Sequence, residues 1–184
     1  MCLAQDKSTG PVFLRTRRLT IGAVGPTSPL RVSGGDLLHR RFWCFTIEFS
    51  INALTGLPLA VELRDRDCRT VLAACQDEAL ALARRIGVSP ARMTPLPAAA
   101  MPALLRSPTP VFSNLARASL KVAPTARSSM ADDLDAGRPT EIDELQGVVV
   151  QLGADHGSAA PVCARIVELV REAEASGPDR RRWS

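Results

Sequence analysis

The chain is 184 residues long, 46% apolar and 23% charged, enough for about one domain with its own core and unlike a disordered chain. No run of about eighteen apolar residues occurs, which excludes a transmembrane helix. Lys and Arg outnumber Asp and Glu by 23 to 19, and aromatic residues make up 4% with no Tyr. That balance is too mild, and too poor in stacking rings, to require nucleic acid as a partner.

The charge is unevenly spread. Residues 1–42 hold seven basic side chains against Asp6 and Asp36, and Arg180, Arg181 and Arg182 close the chain. Both ends read as solvated. The segment from Met1 to Gly10 has no apolar stretch behind a basic head, so it is not a secretory signal and the expected compartment is the cytoplasm. Five cysteines and two scattered histidines contain no Cys-x-x-Cys pair. They offer no zinc ligand cluster, and the thiols are expected reduced and mostly packed.

In chain order, the first element is a β-like run from Arg18 to Gly25, bounded by glycines, followed by a shorter run from Leu30 to Ser33. Two short strands cannot stand alone. From Asp36 to Leu57 the apolar residues Phe42, Trp43, Phe45, Ile47, Phe49, Ile51 and Leu54 are spread around a helical wheel, the pattern of a buried helix. Cys44, Glu48 and Asn52 stand at i, i+4 and i+8. They make one polar stripe that must face water, a partner or a ligand cavity.

A second helix is expected over Arg69–Ile86, with Val71, Leu72, Cys75, Ala79, Leu82 and Ile86 inward and Gly87 at its end. Residues 90–124 hold seven of the fourteen prolines and predict loop broken by short helices near 98–105 and 111–120. Ser128 or Ser129 can cap a helix from Met130 to about Gly137. Thr140-Glu-Ile-Asp143 resembles a capping box, opening a helix that ends at Gly153 or Gly157. Pro161 opens the last helix, with Val162, Ile166, Leu169 and Val170 inward, and a flexible basic tail is expected over 176–184.

The segment Ser129-Met-Ala-Asp-Asp-Leu-Asp-Ala-Gly-Arg-Pro-Thr-Glu-Ile-Asp143 resembles a signature of ketopantoate reductases (2-dehydropantoate 2-reductases). Gly147, His156-Gly157 and Pro161 fall where that family has its later elements. Trp43 and Ile51-Asn-Ala-Leu-Thr-Gly-Leu57 look like its W-x-K-x-x-x-N-x-x-x-N-x-L-T-A-L helix, and Glu78 and Gly87 continue the match. The resemblance covers residues 30–175. It implies a mainly α fold, a helical bundle like the C-terminal domain of 6-phosphogluconate dehydrogenase-like reductases, preceded by a short remnant of β strands. It also implies reduction of the 2-keto acid 2-dehydropantoate to pantoate by NADPH, on the route to pantothenate and coenzyme A.

On that resemblance Asn52 and Ser129 are substrate-binding positions and Glu141 contacts the NADP cofactor. The family's lysine, the acid toward the substrate carbonyl, falls at Cys44, and its first asparagine falls at Glu48. A thiol brings no positive charge to an anionic substrate, and Glu48 repels one. No chain residue is therefore assigned as the catalytic acid, and activity is expected to be impaired. No G-x-G-x-x-G run is present; Gly22-Ala-Val-Gly25 leads into Pro26.

The expected organisation is a remnant of the end of a Rossmann domain and its linker over 1–36, the helical domain over 37–175, and the tail. The surface left by the absent nucleotide half is expected to be apolar and to favour a homodimer. A second reading is a non-catalytic helical module that dimerises or binds a small anion. Neither reading calls for a metal, nucleic acid or a membrane.

Overall fold

A computed structural model describes residues 50–88, 90, 96–116, 125–178 and 180, and the backbone of strands at 2–4, 12–16 and 19–24. The strands β1 (Cys2–Ala4), β2 (Val12–Thr16) and β3 (Leu19–Val24) pair in that order as an antiparallel sheet. The run expected from Arg18 is thus strand β3. The expected run at Leu30–Ser33 lies outside the described residues, as do Cys44 and Glu48.

The remainder is helical: α1 (residues 50–55), α2 (Leu59–Glu62), α3 (Arg66–Arg85), α4 (Met101–Arg106), α5 (Thr109–Leu115), α6 (Ser129–Asp135), α7 (Val148–Asp155) and α8 (Pro161–Ser176). One core runs through them, built from residues such as Leu54, Leu72, Leu82, Leu134, Ile142, Ile166 and Val170. The mainly helical class read from the sequence is the observed one.

Helix α3 is the long central element, and it begins three residues before the expected Arg69. The side chain of Asp65 accepts from the backbone N–H of Asp67 at 2.7 Å and of Cys68 at 2.9 Å, satisfying two of the donors that a helix start leaves open. At the other end Gly87 adopts φ +73°, and Val88 N–H returns to the carbonyl of Ala83 at 2.8 Å. This is the left-handed exit that glycine makes without a side-chain penalty. Val71, expected inward, is 38% exposed, while the unexpected Arg69 is 1% exposed.

Arg69 shows why a charge can sit there. Nε donates to the carbonyl of Leu105, Nη1 to those of Leu63 and Arg64, and Nη2 to Ser107 O and Thr109 Oγ1, all between 2.9 and 3.2 Å. Its guanidinium carbon lies 4.4 Å from the centre of the Phe112 ring. Four of the acceptors are carbonyls at or just past the C-terminal ends of α2 and α4, where helix dipoles leave negative charge. One planar fork therefore fastens α3 to two helix ends.

Two further ties cross the bundle. Pro161 opens α8 as expected, but Ala160 offers it no side-chain cap; Glu78 of α3 supplies one instead, its two oxygens accepting from Val162 and Cys163 N–H. Thr140 and Asp143 do not close on each other. Thr140 N–H donates to Glu174 of α8 at 2.6 Å, and Asp143 pairs with Arg171 at 2.7 Å. Thr140 Oγ1 still accepts from Ile142 N–H at 3.3 Å, but the reciprocal half of the expected capping box is replaced because α8 lies close enough to provide partners for Thr140 N–H and Asp143.

Helix α7 runs through Gly153 and turns at Gly157, φ +63°. Within the stretch expected as a flexible tail, Arg180 is buried, its guanidinium bonded to Asp135 at 2.7 Å and to Ala53 O at 3.3 Å.

Candidate functional site

Asn52 is fully buried at 0% exposure. The sequence offered water, a partner or a cavity as what its stripe must face; at Asn52 the structure provides a polar network within the protein. Its Nδ2 donates to the carbonyl of Leu57 at 2.7 Å and to Oε2 of Glu62 at 2.8 Å, and its Oδ1 accepts from Ser128 N–H at 2.8 Å. The Thr55 hydroxyl lies 3.4 Å from the same Glu62 oxygen. Both amide protons are committed to protein acceptors, which is how a buried carboxamide avoids the penalty of an unmade bond.

Of the two candidate serines, Ser128 is the cap: its Oγ accepts from Ala131 N–H at 3.1 Å. Ser129 becomes the first residue of α6 and is exposed. Because the backbone of Ser128 is held by Asn52, the start of α6 is fixed to α1, and Ser129 stands one residue from that anchor. Behind it, Asp135 on α6 is shared by Arg127 at 2.6 Å and Arg180 at 2.7 Å. Burial alone would raise the Asp135 carboxyl, but the bonds and charge of the two guanidiniums outweigh it and hold the pKa below the usual value.

Glu141 is half-buried in the turn between α6 and α7. Burial lifts its carboxyl above the usual range, and the like charges of Glu144 and Asp133 add to the effect. The chain then makes a π turn over Asp143–Gly147, with Gly147 N–H bonded to Ile142 O at 3.0 Å. That turn carries Gln146, 0% exposed, whose Nε2 donates to Ser50 Oγ at 2.6 Å. Helix α1 is therefore bonded at Asn52 to the start of the Ser129–Asp143 signature and at Ser50 to the turn that follows it.

The Cys68 and Cys163 thiols contribute no nucleophile. The Cys68 thiol is pushed up to about 12 by burial first and then by Asp65, Glu62 and Asp67. The Cys163 thiol is also raised, first by its bond with Cys75 and next by burial. Thiols held protonated in this way are unreactive. Among the described residues no group of three or more metal-ligating side chains comes together.

Sequence reasoning missed Glu62. Its signal was available: a single acid inside the apolar run Leu57-Pro-Leu-Ala-Val-Glu-Leu63, where a carboxylate needs a reason to be buried. It missed the capping role of Glu78, whose partners lie more than eighty residues away, and Arg69, whose partners at Leu105, Ser107 and Thr109 lie 36 to 40 residues away.

Known proteins resemble this arrangement. The family model described as ketopantoate reductase PanE/ApbA C terminal matches residues 37–174. A 2-dehydropantoate 2-reductase of Halobacterium salinarum is 44% identical over 50 residues, 27% of this chain and 16% of that protein. Among solved structures, a PanE/ApbA family ketopantoate reductase from Ralstonia eutropha JMP134 superposes with TM-score 0.55 at 26% identity, over 73% of this chain and 40% of its own. D-mandelate dehydrogenase, solved with NADH and anilino(oxo)acetate, superposes with TM-score 0.59 at 19% identity, over 78% of this chain and 43% of its own, a likeness of fold alone. The chain thus spans about two fifths of the solved relatives' length and less of the curated one.

Proposed function

Since the chain belongs to the ketopantoate reductase PanE/ApbA C-terminal family, we propose that it forms the substrate-side helical domain of an NADP-dependent 2-keto acid reductase. The reaction would be reduction of 2-dehydropantoate to pantoate, with its rate impaired by Cys44 and Glu48. The observation that carries the reading is the double attachment of α1 to the Ser129–Asp143 segment, through Asn52 and through Ser50. It brings the two stretches that resemble the family into one constellation.

In this reading the exposed Ser129 hydroxyl bonds the keto acid, and Asn52 serves the substrate from beside it. Asn52 acts by holding the start of α6, because it is fully buried and both its amide protons are engaged elsewhere. Glu141 meets the edge of the cofactor, its carboxyl lifted above the usual range by burial. NADPH would supply the hydride. The sequence has no G-x-G-x-x-G loop, so the described residues fit one edge of that cofactor and the phosphates require another domain.

The proposed compartment is the cytoplasm; no helix among the described residues is long and apolar enough to cross a membrane. A homodimer is included in the proposal, supported by the exposed Val111 and Leu115 one turn apart on α5.

The test is 2-dehydropantoate-dependent oxidation of NADPH by the full chain supplied with a nucleotide-binding domain from a relative. The expected result is slow turnover by the native chain and a gain of about 10² to 10⁴ for the double variant C44K/E48N, the range for restoring a positioned acid. No oxidation by that variant would overturn the proposal.

A further inference from the structure

We propose that Glu62 is the positioning residue of this site, its buried carboxylate fixing the direction of the Asn52 carboxamide and, through it, the place of Ser129. The inference rests on the reading above that Ser129 faces the substrate, and it adds a residue that none of the motifs quoted for the family resemblance contains.

The argument begins with the two ends of a carboxamide. Ser128 presents a backbone N–H, which can only donate, so the atom 2.8 Å from it must be Oδ1. The opposite end then presents two N–H groups, and they meet Leu57 O and Glu62 Oε2. Rotating the amide by half a turn would set N–H against N–H at Ser128 and oxygen against carboxylate at Glu62. The oxygen would also face Leu57 O, so three repulsive contacts would replace three attractive ones.

Of the acceptors, Glu62 is the one with charge and the one from a separate helix. A bond to a carboxylate is about twice as strong as a neutral one, and at 4% exposure water competes little for it. A leucine at this position would pack the gap between α1 and α2 without desolvating a charge. Apolar contact has no direction, however, and direction is what the Asn52 amide needs. Asn52 in turn holds only the first residue outside α6, so the orientation is passed to the helix start that presents Ser129.

The test uses the full ¹⁵N-labelled chain, following hydrogen exchange at the Asn52 side-chain NH₂ and the Ser128 backbone N–H. In Glu62→Ala both are expected to exchange about tenfold faster or more, the change that corresponds to one lost bond of ordinary strength. Core amides such as those of Leu82 and Val170 should be unmoved. Glu62→Gln keeps an acceptor oxygen at the same reach and should restore the protection. Should the alanine variant fail to fold, Glu62→Asp, one methylene shorter, gives the same readout with the charge retained.

A titration with 2-dehydropantoate completes the test. Glu62→Ala is expected to weaken binding about tenfold and Glu62→Gln to recover it to within about threefold. Leu72→Ala, a core truncation, should lower stability and leave affinity as it was. Unchanged exchange at Asn52 and Ser128 in Glu62→Ala overturns the proposal, and so does accelerated exchange with unchanged affinity. Absence of binding by the native chain would count against the reading of Ser129 instead, while the exchange data still decide whether Glu62 orients Asn52.

Discussion

Glu78 of α3 caps the start of α8: Oε1 accepts from Val162 N–H and Oε2 from Cys163 N–H, each at 2.8 Å. The two residues lie more than eighty positions away in sequence, and α8 has no cap of its own. A carboxylate on the first free N–H groups also meets the positive end of the helix dipole. One side chain thus replaces a local cap and fastens two helices of the core together.

Glu78→Ala is therefore expected to cost about 2–3 kcal/mol, more than an ordinary cap because the lost bonds are charge-assisted. Glu78→Gln should recover about half, since one amide oxygen can serve only one N–H well. Urea denaturation of the three proteins measures this. A loss below about 0.5 kcal/mol in the alanine variant would show that the cap contributes little.

Two glycines separate contact from conformation. A Cβ at Gly153 would lie 2.4 Å from the backbone oxygen of Ser158, whereas one at Gly87 would meet nothing within 4 Å, though φ there is +73°. Gly153→Ala should force the turn after α7 apart at a cost of about 2–4 kcal/mol. Gly87→Ala should cost about 1 kcal/mol through backbone strain alone. Thermal melts should place the Gly153 variant several degrees below the Gly87 variant, at about 2–4 °C per kcal/mol for a chain of this size. The reverse order would contradict the packing around Ser158.

Arg69→Lys tests whether the fork or the charge matters. Lysine keeps the charge but cannot reach the four carbonyls that Nε, Nη1 and Nη2 now satisfy or lie flat on Phe112. A loss of about 2–4 kcal/mol is expected, as two or more buried carbonyls lose their donors. A near-neutral substitution in a denaturant melt would mean that water or the ammonium replaces the fork.

Acid titration should separate two carboxyls of opposite sign. Asp135 has its pKa lowered below 3.8 by Arg127 and Arg180 against the effect of burial. Its contribution is present above the unfolded value and is lost as pH falls through the folded one. Asp135→Asn should then destabilise by about 2–4 kcal/mol at about pH 7, with the gap to the native chain closing below about pH 3.8.

Glu141 behaves oppositely, its pKa raised above 4.5 by burial and by Glu144 and Asp133. Its favourable contribution is complete below 4.5 and is lost as pH rises through the folded value. Glu141→Gln should raise the melting temperature near pH 7 and leave it unchanged near pH 4. Parallel profiles for native and variant proteins would contradict the burial of this carboxyl.

Legible in the amino-acid order alone are the helical class, the glycine exit at Gly87, the choice between Gly153 and Gly157 for the next exit, the opening of α8 at Pro161 and the inward residues Leu72, Cys75, Leu82 and Ile166. These are legible because helical period, proline geometry and the left-handed preference of glycine act within a few residues of one another. The positions Asn52, Ser129 and Glu141 were also visible, though only as positions. What each side chain does was decided by tertiary structure: Asn52 became the hub between α1 and α6, Ser128 took the cap and left Ser129 exposed, and burial beside Asp133 and Glu144 raised Glu141. Glu78 and Arg69 read locally as surface charges on an amphipathic helix, and Glu62 as a lone acid in an apolar run with no partner in view. Only the packed bundle supplies the distant carbonyls and N–H groups that make burying them favourable, because the energy of a buried polar group belongs to its partner as much as to itself.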